Sequence, residues 1–299
     1  MGVPGSLSSE TNFDRGIALE IKLLGSVVLA GEGRESAVVS QRSSAVLAML
    51  THTPGVPVPS DQLVDELWGG RVMANARNAL QVNVRRLRKQ LEAASGRPGN
   101  QILRTVNSGY LLDVPPDRID AHRFLALADS GARSVGSEPE AAIQALESAL
   151  ALWRGPALVD VCEGMRCRIQ AAHLEERRIT AYEDLTAARL AANAASIPVS
   201  VLRQLAAENP GRERLVELLM LALYREGRQT EALDAFHQAR HWLASDLGLE
   251  PGRALHCAYQ AILRQDRDLG EPRRALVHSA VPAPDPLRGF THRMSVQAM

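Results

Sequence analysis

The most informative part of the sequence is a basic segment from about Asn75 to Ser95, whose polar and apolar side chains repeat with the period of an α-helix. A helix fits the major groove of B-DNA, where arginine can donate two hydrogen bonds to guanine, glutamine can pair with adenine and valine can touch a thymine methyl group. Gln81, Val82 and Arg86 are therefore predicted to read bases.

The side chains around these three are predicted to hold the phosphate backbone, which supplies affinity and salt dependence without sequence information. They are Asn78, Asn83, Arg85 and Arg88, with Arg77 and Lys89 on the same basic segment. Eight basic residues and one acid between Arg71 and Arg104 give a local charge of +7, although the whole chain has a formal net charge of zero. A basic helix face is usually only solvated surface, but this helix precedes a hairpin, which favours contact with DNA.

The apolar residues of the same segment predict how the helix is held. On a helical wheel Val84, Leu87 and Leu91 fall within about 40° of Leu80, so the four form one narrow stripe. This stripe is predicted to face the core and to turn the polar side outward.

Three further features predict the elements around this helix. Short apolar groups between Ile17 and Val39 favour a small antiparallel sheet, and two more helical patterns follow at about Arg42 to His52 and Ser60 to Leu67. Ser60 is predicted to cap its helix, with Asp61 favourable in the first turn. These two helices are predicted to end at Pro54-Gly55 and at Gly69-Gly70. Residues 96–100, after the basic helix, are predicted as a loop.

A hairpin is predicted after the basic helix. Residues 102–106 and 110–112 have the composition of strands, and Asn107-Ser108-Gly109 suits a tight turn between them. Arg104, Thr105 and Asn107 are candidates for contact with the DNA backbone or the minor groove, although Asn107 equally suits a turn former.

From Asp120 onward the sequence changes to long Ala- and Leu-rich patterns, which favour stacked helical hairpins over an unrelated helical bundle. The clearest unit combines small residues with one aromatic: Gly227, Ala232, Phe236 and Ala239. The same spacing recurs at Ala142, Leu146 and Ala149, where it also fits any amphipathic helix pair. The predicted fold is mainly α, with an N-terminal winged helix-turn-helix (α+β) followed by an all-α tetratricopeptide-like helical repeat domain.

Composition and motifs argue against several classes of protein. The longest apolar runs are shorter than the roughly 18 residues of a membrane span, so a cytoplasmic protein is expected. Cys162, Cys167 and Cys257 match no metal motif, and no phosphate-binding loop or hydrolase signature occurs, so neither a metal, a cofactor nor catalysis is expected. His122, His173 and His237 are interpreted as surface or core residues.

Several motifs, in the same order along the chain, closely resemble the Streptomyces antibiotic regulatory protein family. In the first part they are LVDELWG at 63–69, ARNALQ at 76–81, VRRLR at 84–88 and GYLL at 109–112. In the second part they are ALALWRGPAL at 149–158, LALYREGR at 221–228 and DLGLEPG at 246–252. The likeness covers about Ile21 to Arg267. The chain resembles the short form of the family, which lacks an ATPase domain.

The resemblance implies an OmpR-type winged helix at 18–114 and a tetratricopeptide-like bacterial transcriptional activation domain at 115–267. Composition predicts disordered tails at both ends, because residues 1–17 are rich in Gly, Ser and Pro and residues 268–299 carry several prolines without an apolar period. The resemblance implies an activator of secondary-metabolite gene clusters that binds tandem direct repeats in promoter DNA, as two copies. It also implies recruitment of RNA polymerase through its sigma factor and the C-terminal domain of its alpha subunit, in association with the nucleoid.

By match to the OmpR-type recognition helix, Gln81, Val82 and Arg86 face bases, and Asn78, Arg85 and Arg88 face the backbone. The sequence departs from the pattern at two positions. Asn83 stands where an aromatic or a histidine is common, and Asn107 stands where such wings often carry arginine.

Two other functions compete with DNA-binding activation. The helical repeats could make the protein an interaction scaffold or ligand sensor whose winged helix contacts protein, a reading opposed by the +7 segment. An enzyme is the third reading, and the sequence offers no matching cluster of catalytic residues for it.

Overall fold

A computed structural model of the protein describes residues 19–31, 33–69, 75–161, 164–194 and 196–266. The predicted tails, Gly70, Arg71 and Cys162 lie outside these residues. The described chain forms two compact units, of which the first contains residues up to 126 together with 151–178. The second contains residues 127–150 and the chain from Ile179 onward.

The first unit begins with a three-stranded antiparallel sheet of β1 (Glu20–Lys22), β2 (Val28–Gly31) and β3 (Arg34–Ala37), in that order. Ile21 and Leu29 face each other across β1 and β2 and are both fully buried, because alternate side chains of a strand point to one face. The predicted small antiparallel sheet is confirmed.

Three helices follow, α1 (Gln41–His52), α2 (Ser60–Trp68) and α3 (Ala76–Ser95), close to the predicted bounds. The hydroxyl of Ser40 caps α1 by accepting a hydrogen bond from the Ser43 N–H at 3.1 Å. The predicted cap at Ser60 is wrong, because Ser60 is the first residue of α2 and its side chain makes no cap bond. Its N–H is instead satisfied by the carbonyl of Ser108, at 3.0 Å.

A second sheet contains β4 (Val58–Pro59), β5 (Leu103–Val106) and β6 (Gly109–Leu112), in the order β4-β6-β5. The predicted hairpin is confirmed as β5 and β6. The predicted loop at 96–100 is partly wrong, because a helical turn, α4 (Gly99–Ile102), occupies its end and delays the strand to Leu103. This turn lies so close to α3 that a Cβ on Gly99 would stand 2.1 Å from the Arg88 carbonyl oxygen.

Two carboxylates from beyond the hairpin belong to the first unit and accept hydrogen bonds from the backbone of the turn between β1 and β2. The buried carboxylate of Asp120 accepts hydrogen bonds from the N–H groups of Leu23 at 2.7 Å and Leu24 at 3.1 Å. Burial raises the pKa of the Asp120 carboxyl, and these two bonds oppose the rise because they favour the ionised form. Asp160 accepts a further bond from the Val27 N–H at 2.9 Å.

A carboxylate on α2 caps the long helix α7 (Met165–Ala191). Glu66 is 6% exposed and accepts hydrogen bonds from the N–H groups of Arg166 at 3.0 Å and Cys167 at 2.8 Å. These groups have no partner within the helix, and the helix dipole favours an anion at this end. The chain passes so close to Glu66 that a Cβ on Gly164 would lie 2.1 Å from its Oε1.

The second unit is helical and contains parts of α5 (Asp120–Ser134) and α7. Its complete helices are α6 (Pro139–Leu150), α8 (Val199–Glu208), α9 (Glu213–Arg225), α10 (Gln229–Trp242) and α11 (Arg253–Leu263). Helix α9 contacts α8, α10 and α11. Among the described residues, no helix is both apolar enough and long enough to cross a bilayer.

The repeated small-residue spacing occupies the core of this second unit, as predicted. Ala232 and Phe236 are at most 2% exposed, and Gly227 takes φ +75° at the turn before α10, a conformation that L side chains rarely adopt. Ala142, Leu146 and Ala149 are fully buried. The mainly α fold with an N-terminal winged helix-turn-helix and a tetratricopeptide-like helical domain is confirmed.

We predict that Gly109→Ala destabilises the first unit, because the new Cβ would lie 2.3 Å from the Val58 carbonyl oxygen in the neighbouring strand β4. Urea unfolding should show a loss of about 1 to 3 kcal/mol, the usual cost of overpacking. Gly155→Ala is the matched control, because its Cβ would meet nothing closer than 3.9 Å. Equal losses in the two variants would contradict the close approach of β6 to β4.

We also predict that Glu66→Ala destabilises the protein by about 1 to 3 kcal/mol for each buried N–H group left without an acceptor. Thermal and urea unfolding measure the loss. Glu140→Ala removes an exposed acid from the first turn of α6 and should change stability far less, by under about 1 kcal/mol. A loss as small as that of the control would show that Glu66 does not stabilise the start of α7.

Candidate nucleic-acid interface

The buried side of α3 is the predicted apolar stripe. Leu80, Val84, Leu87 and Leu91 are at most 2% exposed, and the helix packs on α1, α2 and β2. Gly96 ends α3 in a left-handed conformation, and its N–H donates to the Glu92 carbonyl. The stripe therefore fixes the rotation of α3 about its own axis.

The opposite side of α3 carries a continuous strip of exposed side chains, which we call the α3 strip: Gln81, Val82, Arg85, Arg86 and Lys89. Residues four apart on a helix are neighbours on its surface, so these positions form two adjoining rows. Within the described part of the chain, none of the five side chains makes a hydrogen bond or ion pair with another residue. Their charges and donors are thus available to a ligand.

The first turn of α3 adds two exposed polar residues at the end of the α3 strip. Asn78 is exposed, and Arg77 pairs with Asp61 at 2.9 Å. Both partners of this ion pair are about three-quarters exposed, at 74% and 75%, and exposed pairs contribute little. Arg77 can exchange its carboxylate for a phosphate at small cost.

Asn83, a predicted phosphate contact, lies on the inner side of α3. It is 8% exposed, its amide donates to the Ala79 carbonyl at 2.9 Å, and the Ser43 hydroxyl donates to its Oδ1 at 3.5 Å. The amide donor of Asn83 is therefore already used within α3, and its side chain is not part of the exposed α3 strip. The helical wheel contains this signal, because Asn83 is only about 60° from Leu80.

Arg88 and Thr105 support the hairpin. The half-buried Arg88 donates from Nε to the Leu103 carbonyl and from Nη2 to the Thr105 hydroxyl, both at 2.8 Å. These bonds join α3 to β5. Arg88, predicted as a phosphate contact, thus already donates hydrogen bonds within the protein. Local spacing could not reveal this, because Thr105 is 17 residues away.

The turn of the hairpin explains Asn107. Its φ is +46°, a left-handed conformation in which asparagine is enriched, so the turn-former alternative accounts for this residue. Its side chain is exposed, as is that of Arg104, which pairs with Asp113 at 3.4 Å. Contact of the hairpin with the minor groove stays a prediction.

A cleft of about 590 Å³ adjoins the α3 strip at the start of α1. Its lining is Ser40, Gln41, Arg42, Leu67, Ala79, Val82, Asn83 and Arg86. Arg42 was not among the predicted site residues, because the α1 pattern indicates only a packed helix. Its guanidinium lies over the ring of Trp68, 5.7 Å from the centroid.

Among the residues that the structure describes, no group of three or more His, Cys, Asp or Glu side chains is placed to bind a metal ion. Cys167 is buried and Cys257 is exposed on α11.

Two family models match consecutive parts of the chain. The model described as "Transcriptional regulatory protein, C terminal" matches residues 34–112, which contain α1 to α3 and the hairpin. The model described as "Bacterial transcriptional activator domain" matches residues 119–263.

Two curated relatives match most of this chain and most of their own length. The transcriptional regulator RedD of Streptomyces coelicolor is 41% identical over 87% of this chain and 75% of its own. The regulatory protein DnrI of Streptomyces peucetius is 37% identical over 83% of this chain and 93% of its own.

A solved structure agrees with the fold. EmbR of Mycobacterium tuberculosis, determined in complex with a low-affinity phosphopeptide, superposes with a TM-score of 0.77 at 33% identity. The match covers 83% of this chain but 65% of the EmbR chain. With the winged helix, its exposed α3 strip and the helical domain in this order, the chain belongs to the Streptomyces antibiotic regulatory protein family of transcriptional activators.

Proposed function

We propose that the protein inserts α3 into the major groove of promoter DNA and thereby activates an antibiotic biosynthetic gene cluster in the cytoplasm. The observation that carries this proposal is the α3 strip, whose side chains are exposed and make no bonds with other described residues. Arginine, glutamine and valine on one helix face match the donors, acceptors and methyl groups of the major groove.

The side chains of α3 divide into two sets of contacts. Gln81, Val82 and Arg86 read base edges, whereas Arg85 and Lys89 hold phosphates, together with Asn78 and Arg77 in the first turn. Arg88 and Thr105 brace the hairpin beside the helix. Asn83 is not included, because its amide is buried and already bonded.

The helical domain acts on the transcription machinery in this proposal. Two copies of the protein bind tandem direct repeats near the promoter, and the second unit recruits RNA polymerase through its sigma factor and the C-terminal domain of its alpha subunit. Membership of a family of transcriptional activators supports this role, and the match of residues 119–263 to the bacterial transcriptional activator domain assigns it to the helical part of the chain.

We predict that Arg86→Ala weakens binding to the preferred site by about 1 to 3 kcal/mol and reduces discrimination at one base pair, as loss of a bidentate contact to guanine would. Selection from a random duplex library defines the site, and fluorescence anisotropy measures the affinity. Arg85→Ala is the matched comparison, because loss of a phosphate contact should weaken binding to all duplexes alike.

Two results would count against this function. Unchanged affinity and base preference in Arg86→Ala would remove the assignment of Arg86 to a base. Absence of salt-sensitive binding of the wild-type protein to any duplex would contradict DNA binding itself, because counterion release accompanies every contact with the phosphate backbone.

A further inference from the structure

The cleft beside the α3 strip, at the start of α1, carries positive charge and no negative charge in its lining. Among its eight lining residues Arg42 and Arg86 are cationic, and none is acidic. The other six lining residues are uncharged, three of them apolar and three polar. A cleft of this charge suits an anion.

This cleft is continuous with the proposed reading surface. Val82 and Arg86 belong to both the α3 strip and the cleft lining, and Val82 is 44% exposed. A duplex whose major groove receives these two side chains also passes the mouth of the cleft. Because the sugar-phosphate strand borders the groove, the anion nearest to the cleft is a backbone phosphate.

Arg42 is the cation of this cleft that the proposed function leaves without a role. It is exposed, and within the described residues no carboxylate pairs with it, whereas Arg77 and Arg104 each have an acidic partner. Its described contact is with the face of the Trp68 ring. Stacking on a ring restrains the guanidinium without consuming its N–H donors, so the donors stay available to an oxyanion.

We propose that Arg42 binds a phosphate of the duplex backbone in this cleft, which gives the protein a contact on α1 in addition to those on α3. The proposal rests on the proposed binding of DNA through α3. The contact carries no sequence information and fixes the position of α3 along the groove, since phosphate contacts set register and base contacts set specificity.

The test measures the affinity of Arg42→Ala for the selected site and for a scrambled duplex over a series of salt concentrations. We expect weaker binding to both duplexes by the same factor, and a slope of log K against log salt that is smaller by about 1. Arg42→Lys keeps the charge and should restore most of the slope. Arg34→Ala, an exposed arginine on β3 outside the cleft lining, is the control and should match the wild type.

Different results separate this inference from the function on which it rests. An unchanged salt slope in Arg42→Ala would overturn the phosphate contact. This holds even if affinity and melting temperature both fall, because that combination would show that Arg42 only supports Trp68. A loss confined to the selected site would also overturn it. Failure of the wild-type protein to bind any duplex would instead refute the proposed function.

Discussion

The burial of one apolar stripe on α3 determines where the rest of the helix points. Leu80, Val84, Leu87 and Leu91 are almost completely inaccessible, and burying each contributes about 1.5 to 3 kcal/mol before the entropy of folding is deducted. Rotation of α3 about its axis would expose these side chains to water. The α3 strip on the other side therefore faces outward as a consequence of packing, with no bond of its own to hold it there.

Two buried carboxylates hold the elements around α3 together. Glu66 joins α2 to the start of α7, and Asp120 holds the turn between β1 and β2, each by accepting two backbone N–H groups. Three of these four N–H groups are buried and that of Arg166 is partly buried, and leaving such donors without an acceptor is costly. The first unit thus depends on residues from well beyond the hairpin, and the support of α3 includes them.

Periodicity in the sequence predicted the first sheet, the helices α1 to α3, the hairpin and the apolar stripe of α3, because these follow from local spacing, but it did not predict the turn α4 or the burial of Asn83. Contacts between distant residues were not predictable in this way. Arg88 bonds to Thr105, Asn83 bonds to Ser43, and Glu66 caps a helix 100 residues further along the chain. Arg42 was missed for the same reason, since its place beside Arg86 depends on the packing of α1 against α3.

Insertion of α3 into the major groove can be tested by methylation interference on the selected duplex. Methylation at guanine N7 modifies the major groove, whereas methylation at adenine N3 modifies the minor groove. If α3 lies in the major groove, N7 methylation of at least one guanine within the site blocks binding by the wild-type protein. Interference at adenine N3 alone, with every guanine N7 tolerant, would contradict it.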